Sequence, residues 1–224
     1  MTFSIAARCA RTGMFGIAVS SSSPCVAARC AHARAGVGAV ATQNITDPTL
    51  GPKGLDLLAE LSAPDALALL KRDAEHLEYR QIALIDREGR TAAFSGRKTL
   101  GTHAAAESLN AVAAGNLLSD RAIPGLMIEA FHEDESADLG DRIIAAMKAA
   151  LAAGGEEGPV HSAGMILVDR VRWPVSDLRI DWHETDPIGK LEKLWQLWKP
   201  QATDYVTRAL DPSTAPAYGV PGDM

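Results

Sequence analysis

Long apolar runs are missing from this sequence: nothing in it approaches the roughly 20 consecutive apolar residues that a membrane-spanning helix needs. The opening MTFSIAARCAR alternates and builds no apolar run of the kind a secretory signal carries, so the chain reads as cytoplasmic, with no membrane partner. Positive charge is also scarce, with 22 Lys plus Arg against 28 Asp plus Glu, a net of −6. No basic stretch could track a phosphate backbone, and nucleic acid is not an expected partner. Cysteine is limited to Cys9, Cys25 and Cys30, an odd number without paired C-x-x-C spacing, which reads as reduced, mostly buried thiols and no structural zinc.

Cofactor and metal signatures are lacking too. Gly36, Gly38, Gly51 and Gly54 belong to no phosphate loop and to no dinucleotide fingerprint. Six histidines, at 32, 76, 103, 132, 161 and 183, show neither H-x-H nor H-x-x-x-H spacing, and they read as loop or surface residues. The run His132-Glu133-Asp134-Glu135 has no alternating oxygen ligands and no turn glycine, so it reads as a solvated loop, not a calcium site. No cofactor and no metal are expected, and no internal repeat is evident.

What is present suits one core. The chain has 224 residues, 47% of them hydrophobic. Thr2 to Arg11 alternates as a strand, Thr12-Gly13 offers a turn, and Met14 to Ser21 supplies a second strand with Phe15, Ile17 and Val19 on one face. Gly36 to Thr42 is read as a buried strand. Pro48, Gly51, Pro52 and Gly54 punctuate the stretch before a short helix marked by Leu55, Leu57, Leu58 and Leu61. Ser62 then caps a second helix with Asp65 in its first turn.

Arg80 to Asp86 and Arg90 to Ser95 form a second predicted hairpin around Gly89. Ala111 to Leu118 is read as a strand interrupted by Gly115, within a helical middle. Asp138 to Ala153 is a helix ended by Gly154-Gly155. Ser162 to Asp169 and Val175 to Asp181 are strands, and Asp186-Pro187 opens a last helix with Ile188, Leu191, Leu194, Trp195 and Trp198 in one stripe. Past Leu210 the prolines and glycines suggest a surface strap or a disordered end. The order of elements suits an α+β protein with mostly antiparallel sheets covered by helices.

Several segments together resemble the bacterial domain-of-unknown-function 1028 family: MTFSIAAR, GVGAVATQNITDPTLGPKGLDLL, EYRQIALIDREGR with AAFSG, AAGNLLS, and DLRIDWHETDPIGKLEKL. The resemblance runs from Thr2 to about Leu194. It implies a four-layer αββα sandwich of the N-terminal nucleophile hydrolase type but brings no established reaction; with the change of composition after Leu210, the expected division is a domain at 1–210 and a tail at 211–224.

By the logic of that superfamily, the first residue of the mature chain attacks a carbonyl and its own α-amine serves as base, which makes Thr2 the candidate once Met1 is removed. The unperturbed pKa of an α-amine, about 7.7 to 8.0, suits it to that role. Many members keep a lysine near the second strand; here Arg29 is the nearest basic residue.

Ser20, at the head of the serine run 20–23, could orient the nucleophile or bind substrate, although serines there could equally satisfy a polar loop. Gln43 could read a carbonyl or amide of a ligand or could cap a turn. Asn116 could serve a developing oxyanion, helped by Gly115, or could mark a cap or bulge. Asp177, Arg179 and Asp181 share one strand face, so Arg179 with Asp181 suggests a pocket or a dimer contact, and a solvated ion ladder would look alike.

Two functions are thus open: hydrolysis of an amide or other C–N bond in a small polar molecule, or a non-catalytic role in ligand binding or assembly. A homodimer is the default assembly.

Overall fold

The computed structural model describes residues 2–220, so Met1 and the last four residues of the expected tail lie outside the described residues. Strand β1 (Thr2–Arg8) runs antiparallel to β2 (Phe15–Ser21) around a turn in which Gly13 takes φ +80°. A short helix α1 (Ala27–Cys30) and strand β3 (Ala31–Arg34) lead to β4 (Gly38–Asn44). Helices α2 (Leu50–Leu58) and α3 (Ala63–Asp73) precede the hairpin β5 (Arg80–Asp86) and β6 (Thr91–Ser95). Then follow β7 (Ala104–Ser108), β8 (Ala111–Asn116), α4 (Ile123–His132), α5 (Leu139–Ala152), β9 (Ser162–Val168), β10 (Ser176–Ile180), α6 (Pro187–Trp198) and α7 (Ala202–Leu210).

The strands make two antiparallel sheets, one of order β10-β9-β2-β1-β8-β7 and the other of order β3-β4-β5-β6. Three apolar clusters define the layers. Phe3, Ile5, Ala7 and Ala18 pack outward against α4, α5 and α6. Ala6, Phe15, Ile17 and Val19 meet Ala39, Ala41, Ala83 and Ile85 between the sheets. Val40, Ile82 and Leu84 pack outward against α2 and α3. Residues alternate in and out along each strand, and both faces of both sheets are covered, so the result is the expected four-layer αββα sandwich.

Small residues set the layer spacings. A Cβ on Gly16 would stand 2.4 Å from Ile143 Cδ1 and 2.7 Å from Leu167 Cδ2, so only glycine lets α5 settle on β2. The glycines read as punctuation before α2 lie inside that helix instead. A Cβ on Gly51 would come 2.1 Å from the His32 ring, so the missing side chain seats α2 on β3. Pro52 is tolerated in the first turn, where its missing N–H has no helical acceptor.

The strand expected from Gly36 starts at Gly38 because Gly36, at φ +69°, belongs to the turn before it. Cys9 and Cys30 are buried as expected, whereas Cys25 is exposed in a turn at φ 54°. Residues Pro216 to Tyr218 return onto α7, where Arg208 donates to the Pro216 and Ala217 carbonyls and stacks over Tyr218.

Candidate functional site

The inter-sheet layer changes character toward the start of β1. Ala6 belongs to its apolar part, but Ser4 and Thr2, on the same face of the strand, are polar. Thr2 pairs across the sheet with Asn116 on β8, and the register of β1 with β2 places it opposite Ser21. Its Oγ1 donates to Ser21 Oγ at 3.4 Å, and Ser21 Oγ also accepts from the Ser23 backbone N–H at 3.1 Å.

The second sheet answers with amides. Ser4 Oγ donates to Gln43 Oε1 at 2.7 Å, and Gln43 Nε2 donates to Gln81 Oε1 at 2.8 Å and to the Ala114 carbonyl at 3.2 Å. Asn116 Nδ2 donates to the same Gln81 oxygen at 3.0 Å. Gln81 Nε2 donates to Ser95 Oγ and to the Gly115 carbonyl, both at 2.9 Å. Ser4, Gln43, Gln81 and Asn116 are all 1% exposed or less, and buried amides require such partners.

Of the residues singled out in the sequence, the structure brings together Thr2, Gln43 and Asn116. Gln43 has no donor to offer a ligand, since both of its N–H contacts are internal. The side-chain donors of Asn116 are turned to Gln81, while its Oδ1 is buried with no hydrogen-bond partner. Gly115 has no positive φ, and the left-handed position of this segment is Leu117, φ 51°.

Ser20 is not part of this group. Strand parity puts it on the opposite face of β2 from Ser21, where its hydroxyl donates to the Ser162 carbonyl at 2.9 Å. Arg179 lies on the edge strand β10, three strands from β1 or about 14 Å by strand spacing. It is paired with Asp177 at 2.7 Å, while Asp181 lies just beyond the strand and is exposed. Arg29 turns to the Pro24 and Cys25 carbonyls.

The sequence reading missed Gln81 and Glu156, and within the serine run 20–23 the hydroxyl beside Thr2 is that of Ser21. Glu156 is 4% exposed, and its Oε2 accepts from the Ser22 backbone N–H at 3.3 Å. Burial pushes its carboxyl up to about 7, against the pull of the amino-terminal charge and of Ser22. Its backbone bridges Leu118, just beyond β8, at the end of the sheet that holds Thr2. Thr2 is 5% exposed. A cleft of about 320 Å³ among Met14, Asp169, Val175 and Val206 lies toward the opposite end of β2. Among the described residues no group of three or more His, Cys, Asp or Glu side chains is placed to hold a metal, and no helix is long and apolar enough to cross a membrane.

The chain is similar over most of its length to a solved structure from Silicibacter pomeroyi, a protein of a family of unknown function. The two share 32% identity and a TM-score of 0.83, with 93% of each chain covered. Weaker likenesses, both at 12% identity, are to Anbu (ancestral beta-subunit) from Yersinia bercovieri, with a TM-score of 0.41, and to an Anbu mutant from Hyphomicrobium sp. strain MC1, with a TM-score of 0.39. These cover 92% of this chain and 97% and 99% of theirs. No curated protein matches. The model of the family of unknown function DUF1028 matches residues 2–191, and the chain belongs to that family.

Proposed function

We propose that this protein is a cytoplasmic hydrolase of the N-terminal nucleophile type, cleaving an amide or other C–N bond of a small polar molecule. The observation that carries this reading is the position of Thr2: it heads the central strand β1, with its hydroxyl in the polar end of the inter-sheet layer, beside Ser21 Oγ and across from Asn116.

Removal of Met1 converts the Thr2 backbone nitrogen into an amine. That amine takes the hydroxyl proton as Thr2 Oγ1 bonds to the substrate carbonyl carbon. The C–N bond then breaks, with the proton passing to the leaving nitrogen, and water hydrolyses the remaining ester to regenerate Thr2. Ser21 Oγ orients the hydroxyl, and the Gln43–Gln81–Asn116 network fixes the strand ends around it.

A second reading, a non-catalytic ligand-binding or assembly role, is favoured by one observation: the amides of Gln43 and Gln81 are satisfied within the protein, as a purely structural bridge between sheets would be. On either reading Arg179 and Asp181, on the outer edge near the exposed Trp182, suit a homodimer contact better than the Thr2 site.

The discriminating experiment expresses the chain without a tag and screens small amides against wild type and Thr2→Ala. The hydrolase reading expects a trimmed N-terminus and turnover reduced on the order of 100-fold or more in the variant. Retained Met1, or equal behaviour of the two proteins, would support the second reading.

A further inference from the structure

Glu156 touches the ends of two strands that are not neighbours. Its backbone bridges Leu118, just beyond β8, with Glu157 N donating to the Leu117 carbonyl at 2.9 Å and Ser119 N to the Gly155 carbonyl at 3.0 Å. Its carboxyl reaches the other way, to the Ser22 N–H just beyond β2. Strand β1 lies between β2 and β8, so Glu156 stands across the end of β1, ahead of Thr2. The adjacent Gly155 packs near β1, since a Cβ there would lie 3.8 Å from Phe3 Cε1 on the outward face of the strand.

Two acceptors of this region lack a donor. Glu156 Oε1 and Asn116 Oδ1 are both buried without a hydrogen-bond partner. Each such group destabilises the fold by about 1–3 kcal/mol. A peptide nitrogen carries one hydrogen, but an α-ammonium carries three. A chain that begins at Thr2 brings donors to the spot where acceptors lack them.

Building on the hydrolase reading above, we infer that Glu156 is the positioning residue for the Thr2 α-amine, holding it with Asn116 Oδ1 as a second acceptor. The amine's lone pair is thereby turned toward the Thr2 hydroxyl. When the amine takes the hydroxyl proton, the ammonium forms beside a carboxylate that stabilises it until the proton passes to the leaving nitrogen. Glu156 and an α-amine, the first raised to about 7 and the second ordinarily near 7.7 to 8.0, then titrate as a pair close to neutrality.

The test needs no substrate. The tag-free chain is labelled with ¹⁵N-threonine, its trimming is verified by intact mass, and the Thr2 amine is titrated by NMR in wild type and in Glu156→Gln. Removing the carboxylate is expected to lower the amine pKa by about one unit or more. Glu156→Asp, which withdraws the carboxylate by one methylene, is expected to give a smaller decrease and serves if the Gln variant does not fold. A trimmed chain whose amine titrates identically in wild type and variant overturns the inference alone. Retention of Met1 in the wild type overturns the hydrolase reading, and the inference falls with it.

Discussion

Gln81 Oε1 accepts from two amides on two different strands, and its Nε2 donates across the layer, so one side chain ties β4, β5, β6 and β8 together. Gln81→Ala would leave the Gln43 and Asn116 donors and the Gly115 acceptor unpaired in a buried layer, and a destabilisation of about 3 kcal/mol or more is expected. Urea denaturation checks this; a loss under about 1 kcal/mol would show that the network relaxes freely. At this scale the sequence was half legible. Gln43 and Asn116 stood out, while Gln81 shared its strand face with Ala83 and Ile85 and went unremarked, although a polar residue among inward positions is itself a signal. Within the serine run, alternation shows that Ser20 and Ser21 lie on two faces but not which face meets the second sheet. Glu156 lies in a loop, where no period links it to Thr2.

Elements with strong local chemistry were read correctly. Ser62 accepts from the Asp65 N–H at 3.3 Å at the start of α3, and Ser62→Ala is expected to destabilise the fold by about 1 kcal/mol, measurable as a shift in the urea midpoint. Both predicted hairpins formed, with Gly13 and Gly89 in left-handed turns. The misses share a cause: α1 and β3 have four residues each, too few to display a period, and the alanine-rich β7 carries no apolar contrast. Helix α2 was shortened because Gly51 and Gly54 were read as breakers, when their role is close approach to β3 and β4. At Gly16, where α5 crosses β2, Gly16→Ala forces Ile143 and Leu167 aside and is expected to destabilise by about 1–3 kcal/mol. A calorimetric scan showing an unchanged Tm would contradict that packing.

Across the whole molecule, the four layers follow from alternation along strands that are covered on both faces, which is why family resemblance and residue pattern agreed on the architecture. The polar end of the middle layer has a thermodynamic signature as well. Glu156 holds its proton more tightly folded, at about 7, than its ordinary value of 4.5, so the folded state binds more protons between these values. Stability therefore falls as pH rises through that window, by up to the order of 3 kcal/mol. Glu156→Gln removes this dependence, and urea midpoints at pH 5 and pH 8 should converge in the variant relative to wild type; parallel profiles would contradict a buried, proton-holding carboxyl.

The proposed chemistry turns on a single covalent fact, whether the mature chain begins at Thr2. The most direct measurement is the intact mass of the tag-free protein together with the sequence of its N-terminal peptide. A chain lacking Met1 and beginning Thr2-Phe3-Ser4 is expected; a chain that keeps Met1 would deny Thr2 its amine and contradict the assignment of Thr2 as an N-terminal nucleophile.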